Sequence, residues 1–172
     1  MKFGILIIAS VIASIVAVNA EPMGNDYGFA NAWFNGKEAT VYDAKLKIGE
    51  PAEIKVTVTS NISGHVFVKL TNPLVTEAYK VVDGPNIGET IDNYDVPSGW
   101  TKTYRWVIAP NGAWTNGNAP INVFAQFHRK EDNRYGSTYD KTIEFTIANP
   151  YILPERYEGA PTATAPTATA SV

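Results

Sequence analysis

An all-β fold is predicted by this sequence, and within that class an immunoglobulin-like antiparallel β-sandwich of about seven strands. Apolar and polar residues alternate with a period of two in one stretch after another, and turn residues recur roughly every 8 to 12 positions. Beyond residues 1–20, no long window keeps a helical period. A jelly roll is the alternative architecture, and the absence of cysteine removes the Cys-Trp-Cys framework of antibody domains.

Residues 50–70 show the clearest alternation and are predicted to form a β-hairpin around the turn at residues 60–64. Because a two-stranded hairpin is only marginally stable in water, a second sheet from the rest of the chain must cover its apolar face. That face is predicted to consist of Ile54, Val56, Val58, Val66, Val68 and Leu70.

The other predicted strands follow in chain order. Residues 38–47 are expected to form one strand with a bend near Asp43, where the alternation slips, and residues 74–82 either a strand or a short helical turn. Further strands are predicted over residues 91–96, 101–108, 121–129 and 139–148. The last three strands are expected to direct inward Tyr104, Trp106, Ile108, Ile121, Val123, Ala125, Phe127, Ile143, Phe145 and Ile147.

The amino-terminal part of the chain predicts export. Residues 1–20 have the form of a signal peptide, with Lys2 before an apolar run and a small-residue cleavage site at Val18-Asn19-Ala20, so the mature chain is expected to start at Glu21. An uncleaved membrane anchor is the alternative. Residues 21–36 are interpreted as a lead-in segment rich in glycine and aromatic residues, and residues 37–150 as the sandwich domain. An exported chain without cysteine must be stabilised by core burial alone.

Residues 151–172 are predicted to form a disordered stalk rich in threonine, proline and alanine. The tract has little apolar surface to bury and many hydroxyl groups, which is typical of O-glycosylated stalks, and a plain flexible linker is the alternative. The candidate O-glycosylation sites are Thr162, Thr164, Thr167 and Thr169.

Residues that could carry catalysis or bind a metal are scattered. His65 and His128 are the only histidines, each in a different predicted strand with no second ligand at metal-binding spacing, and no nucleophile motif or phosphate loop is present. A glycosidase would need two carboxylates at a defined separation, which nothing in the sequence sets. We therefore predict that the protein is not an enzyme and has no catalytic, cofactor-binding or metal-binding residues.

Two acidic clusters have the oxygen ligands that calcium prefers. They are Asp92-Asn93-Asp95, and Glu131-Asp132-Asn133 together with Asp140. Neither has the spacing of an EF-hand, so solvated loop charges are the alternative.

Aromatic side chains are the stronger candidates for binding. Trp114 lies in a loop rich in glycine and asparagine and is expected to be exposed, and Trp100 and Trp33 are further candidates to contact a ligand or a protein partner. A net charge of −3 without a basic cluster argues against nucleic-acid binding.

Asn61-Ile62-Ser63 is an N-glycosylation sequon in the predicted turn. The alternative is that asparagine occurs there for its backbone preference in turns.

Three segments resemble a group of archaeal surface domains: K-I-G-E-P-A-E-I-K-V-T-V-T-S-N from Lys47, P-S-G-W-T-K-T-Y-R-W from Pro97, and N-A-P-I-N-V-F-A-Q-F from Asn118. With its leader and its Y-E-G-A-P-T-A-T tail, the chain is similar to the sarcinarray family of methanogen cell-surface proteins. That resemblance implies export, display at the cell surface or in the cell envelope, and no catalytic residues.

We accordingly expect an exported, non-catalytic structural or adhesion module of an archaeal envelope, without a cofactor. Its partners would be envelope proteins or surface polysaccharide, and it would meet the membrane only through a signal or anchor segment. A carbohydrate-binding domain that uses exposed loop aromatics is the alternative.

Overall fold

The computed structural model describes residues 23–130 and 140–159 of the chain. These residues contain thirteen β-strands and no helix, and therefore no helix long and apolar enough to cross a membrane. The strands are β1 Met23–Asn25, β2 Gly28–Phe34, β3 Lys37–Glu38, β4 Lys45–Ile48, β5 Ala52–Ser60, β6 Gly64–Thr71, β7 Tyr79–Asp83, β8 Ile91–Val96, β9 Thr101–Pro110, β10 Gly117–Asn118, β11 Ile121–Arg129, β12 Lys141–Ala148 and β13 Tyr151–Arg156.

Two main sheets enclose the core. Sheet A has the strand order β1, β2, β5, β9, β7, with β3 paired to β2, and sheet B has the order β12, β11, β6, β8. A small sheet C has the order β10, β13, β4, in which β13 runs parallel to β4. Each main sheet contains four strands of five residues or more, antiparallel to their neighbours. The protein is an immunoglobulin-like antiparallel β-sandwich, as predicted.

The core lies between the inward faces of sheets A and B. Along β5 and β6 every second residue is buried, and the residues between them are partly or fully exposed. The predicted inward residues of β9 and β11 are buried as well, whereas Phe145 on the edge strand β12 is only partly buried. Burying each Val, Ile or Leu side chain contributes about 1.5–3 kcal/mol relative to leaving it exposed, so this period-two pattern is the main source of stability.

The predicted hairpin at residues 50–70 is wrong in its pairing. Strand β5 pairs with β2 and β9, and β6 pairs with β11 and β8, so the two strands lie in opposite sheets. The turn at residues 60–64 passes from sheet A to sheet B at one end of the core. There Ser60 is fully buried, and its hydroxyl donates to the Ile62 carbonyl at 2.8 Å. At Gly64 of β6 any Cβ would overlap the carbonyl oxygen of His128 on β11. Only glycine therefore allows β6 and β11 to pair this closely.

Both ends of the described chain add strands to the fold outside residues 37–150. The lead-in contains β2, whose seven residues pair along β5, and β13 follows residue 150. The predicted single strand at residues 38–47 is instead divided: β3 pairs in sheet A, Val41 bridges Ala148 of β12, and β4 pairs in sheet C. Asp43 lies in the interruption between β3 and β4.

The strands give the domain two opposite ends. At the first end, the tail pole, Gly49 N–H donates to the Pro110 carbonyl and Tyr157 N–H to the Ile48 carbonyl, at 2.8 and 2.9 Å. At the second end, the distal pole, the turns at residues 26–27, 61–63 and 97–99 meet. Strand β5 runs from one pole to the other over nine residues, about 26 Å.

The predicted signal peptide at residues 1–20, the threonines of the stalk, and the acidic residues 131–133 lie outside the described residues.

Candidate functional site

The outer face of sheet B carries aromatic side chains at positions that alternate with the core. Phe67 on β6 and Phe124 on β11 are only half-buried, since they point away from the core formed by their neighbours in sequence. Tyr94 on β8 is 62% exposed, and its ring meets Phe67 edge to face at a centroid distance of 6.2 Å. Large apolar surface in contact with water on a sheet face is a common mark of a binding surface.

Phe67 and Phe124 line a groove of about 330 Å³, which we call the aromatic groove. The Lys69 ammonium lies 5.0 Å from the centroid of the Phe124 ring, close enough for a cation–π interaction. Asp92 and Gln126 add a carboxylate and an amide to the same groove. The aromatic groove therefore combines ring surfaces with hydrogen-bonding groups, the composition of a site for an uncharged polar ligand.

Beside the aromatic groove a row of side chains crosses β8, β6 and β11 and ends at Asp140, the residue before β12. Register places His65 directly opposite His128, and the two imidazole rings stack at 5.9 Å between centroids. Tyr94 meets His65 edge to face at 5.2 Å. At the other end of the row, His128 Nδ1 lies 2.6 Å from Asp140 Oδ1, and the imidazole donates because a carboxylate can only accept. From the sequence, the two histidines are predicted to lie in separate strands without a contact, and the structure brings them together.

The His128–Asp140 pair is almost completely shielded from water, with side-chain exposures of 4% and 8%. Gln126 Nε2 donates to the second carboxylate oxygen at 2.5 Å, so both oxygens of Asp140 are hydrogen-bonded. Among residues 23–130 and 140–159, no three His, Cys, Asp or Glu side chains are placed to hold a metal ion. The role that we assign to this buried pair is structural: its hydrogen bonds hold β11 against the start of β12.

The three candidate tryptophans lie in three different places. Trp33 is on the outer face of sheet A, with the Lys55 ammonium 4.3 Å from its ring centroid. Trp100 follows the turn at the distal pole, and Trp114 lies in the loop before β10. All three are only partly exposed, and they do not form a common surface.

Trp114 is less exposed than predicted, because its ring is partly buried against the core. Its indole packs over Gly117, where an added Cβ would lie 3.1 Å from Nε1, so the missing side chain makes room for the ring. Trp114 Nε1 is buried and has no hydrogen-bond partner among the described residues. A loop of polar composition thus holds a partly buried tryptophan because Gly117, at the start of β10, lies directly under the ring.

The proposed calcium cluster on β8 does not converge. Asp92 accepts from the Tyr94 hydroxyl, Asn93 donates to the Val66 carbonyl, and Asp95 pairs with Lys130. Consecutive strand residues point to opposite faces, which separates these oxygens. Asp140, the described member of the second cluster, is committed to His128.

A larger cleft of about 770 Å³ opens close to the tail pole. Thr71, Leu74, Tyr79, Ile87 and Asn111 are among its lining residues. The Tyr79 hydroxyl donates to the Ala119 carbonyl at 2.6 Å, and burial raises the pKa of Tyr79 above its ordinary range. The described residues that line this cleft include one carboxylate and one ammonium group, and the cleft is the second candidate site.

The sequence contained a signal for the aromatic groove that the prediction missed. Phe67 and Phe124 occupy the polar positions of two alternating strands, and an aromatic residue there is unexpected for a face that only meets water. By contrast, the pairing of His65 with His128 depends on strand register, which has no local signal.

The fold places the chain among the immunoglobulin-like β-sandwich proteins. The sequence model of a family described as MAST domain matches residues 24–171, and the chain belongs to this family. Among solved structures, the ASH / PapD-like domain of human CEP192 (PapD-like domain 7) is similar, with a TM-score of 0.47 and 10% sequence identity, over 87% of this chain and 99% of that one. No curated protein matches the sequence.

Proposed function

We propose that the chain is an exported, non-catalytic structural or adhesion module displayed at an archaeal cell surface. Its resemblance to the sarcinarray family supports this proposal, together with the leader-like residues 1–20 and the stalk-like tract that ends the chain. Its partners would be envelope proteins or surface polysaccharide, and neither nucleic acid nor a cofactor is expected.

The separation of the two poles is the observation that carries the proposal. Tyr157, which precedes the threonine-rich tract, is hydrogen-bonded to Ile48 at the tail pole. The turn that contains Asn61 lies at the distal pole, about 26 Å away along β5. A tract that leaves the domain at one pole would hold the opposite pole and the faces of the sheets away from its attachment point.

The distribution of carboxylates supports a non-catalytic role. Among residues 23–130 and 140–159, Asp92 is the single carboxylate that lines the aromatic groove and Glu77 is the single one that lines the larger cleft. Hydrolysis of glycosidic bonds by the usual mechanism needs two carboxylates in one cleft.

Export can be tested by mass spectrometry on the full-length protein recovered from archaeal cells. We expect a mature amino terminus at Glu21 and loss of the protein from intact cells treated with an external protease. Ala20→Phe is the matched control, because it replaces the small residue of the cleavage site and should retain the leader. A wild-type chain that retains Met1 and resists the protease would contradict the proposal.

The structural or adhesive role needs a separate measurement. Deleting the gene should weaken cell aggregation or the resistance of the envelope to osmotic shock, and wild-type protein should restore it. Normal aggregation and normal osmotic resistance in the deletion strain would argue against this role.

A carbohydrate-binding role is the second candidate, favoured by the aromatic groove. Phe124→Ala should weaken binding of a polysaccharide about tenfold, since stacking on an aromatic ring contributes about 1 kcal/mol or more. Trp114→Phe is the control, because Trp114 lies outside the groove. A glycan array followed by calorimetry would measure both, and binding that is lost equally in the two variants would exclude the aromatic groove as the site.

A further inference from the structure

We propose that Asn61 is N-glycosylated in the exported protein, so that a glycan projects from the distal pole. The inference rests on the proposed export of the chain. Asn61 is the only asparagine in the sequence that is followed by any residue and then by serine or threonine. What the structure adds is a reason why this asparagine is not explained by the turn itself.

Other asparagines in turns have a structural role in their side chains. Asn25, Asn72 and Asn111 each accept the backbone N–H of the residue two positions later, at 2.9, 3.1 and 2.8 Å. This is the local hydrogen bond by which asparagine stabilises turns. Replacing any of them would remove a turn contact.

A second group of asparagines is explained by the backbone. Asn35 and Asn116 have φ values of 48° and 57°, in the left-handed region that asparagine tolerates better than most residues. Asn61 belongs to neither group: its φ lies outside the left-handed region, and among the described residues its side chain makes no hydrogen bond. The alternative based on backbone preference therefore does not account for Asn61.

The backbone around Asn61 is nevertheless held firmly. Its N–H donates to the Tyr27 carbonyl and its own carbonyl accepts from the Ser98 hydroxyl, both at 2.8 Å. The next residue, Ile62, packs against the core, whereas the Asn61 and Ser63 side chains are exposed. The turn thus presents the Asn61 amide to solvent, and the fold does not depend on it. The hydroxyl oxygen of the exposed Ser63 accepts the Ser98 N–H at 3.1 Å.

The modification transfers a sugar from a lipid-phosphate-linked oligosaccharide to the amide of Asn61. The Asn61 Nδ2 atom forms a bond to the anomeric carbon and loses one proton, while the bond between that carbon and the phosphate oxygen breaks. The lipid phosphate is the leaving group. Ser63 supplies the hydroxyl at the third position that the transfer requires.

The test uses the full chain, with its own leader, in an archaeal host that N-glycosylates exported proteins. Trypsin releases residues 56–69 as one peptide, because Lys55 and Lys69 are the nearest cleavage sites. We expect fragmentation to place a glycan on Asn61 in the wild type and in Ser63→Thr. We expect complete loss of the glycan in Asn61→Gln and Ser63→Ala, with an unchanged urea midpoint for Asn61→Gln.

The possible results distinguish failure of the glycosylation from failure of the proposed export. An unmodified peptide in a chain that starts at Glu21 would overturn the glycosylation and leave export intact. A chain that retains Met1 and carries no glycan would overturn both. A glycan that persists in Ser63→Ala would mean that the sugar is not attached through the sequon, which would also overturn the proposal.

Discussion

The outer faces of the two sheets each carry a hydrogen-bonded pair of side chains with the same N–O distance, in very different surroundings. On sheet A, Arg105 Nε lies 2.6 Å from Glu53 Oε2, with side-chain exposures of 53% and 46%. On sheet B, His128 and Asp140 are also 2.6 Å apart, with exposures of 4% and 8%. Water screens the first pair and competes for its hydrogen bonds, whereas the second pair depends on its partners inside the protein. Burial, more than distance, should therefore decide what each contact contributes.

The largest expected effect is from Asp140→Ala. The substitution leaves the buried His128 imidazole and the partly buried Gln126 amide without their acceptor. Because each unsatisfied donor costs about 1–3 kcal/mol, we expect a loss of about 3 kcal/mol in the free energy of unfolding. Urea denaturation of the purified domain measures it. A loss below about 1 kcal/mol would mean that water replaces the carboxylate, and the contrast between the two faces would fail.

The interior between the sheets allows a test with alkaline pH. Burial raises the pKa of Tyr104 from 10.0 to about 12. Because the value in the folded state is raised, the stabilisation is complete below about pH 10 and is lost as the pH rises towards about 12, where the unfolded phenol ionises first. The pKa difference corresponds to a loss on the order of 2 kcal/mol.

Tyr104→Phe is the control for this loss. Free energies of unfolding measured across the alkaline range should fall less steeply in the variant than in the wild type. Equal slopes would show that Tyr104 ionises as readily in the folded chain as in the unfolded one.

Tyr79 and Tyr104 are buried to a similar extent but differ in whether the hydroxyl has a hydrogen-bond partner. Tyr79 donates to the Ala119 carbonyl, whereas the Tyr104 hydroxyl is buried without a hydrogen-bond partner among the described residues. We expect Tyr79→Phe to cost about 1–2 kcal/mol and Tyr104→Phe to be nearly neutral at pH 7, because only the first leaves a buried carbonyl unsatisfied. If chemical denaturation gave equal losses in the free energy of unfolding for the two variants, the hydrogen bond to the Ala119 carbonyl would not be what stabilises Tyr79.

The smallest expected effect is at the exposed pair. Glu53→Ala should cost less than about 1 kcal/mol, and the cost should shrink further in high salt because the pair is open to solvent. Urea denaturation at low and high salt measures both. A loss that is large and independent of salt would place this pair in the same class as His128–Asp140.

Much of the fold was predictable because burial of one face of a strand produces a local alternation of apolar and polar residues in the sequence. Ile54, Val56 and Val58 are all fully buried, as the alternation indicated, and the same holds for Trp106 and Phe127. The candidate site was less predictable. Phe67 and Phe124 could have been noticed as aromatic residues at polar positions, whereas the stacking of His65 on His128 could not.

The sequence by itself determined the fold class, the inward residues of β5, β6, β9 and β11, and the position of the turn with Asn61, because a period of two is a property of neighbouring residues. The tertiary structure decided which strands pair, which loop tryptophan packs against the core and which polar side chains meet. The turn at residues 60–64 was predicted to join a hairpin and instead crosses between sheets. Alternation shows which face of a strand is buried, but pairing depends on residues far away in the chain, and it is settled only when both sheets close over one core.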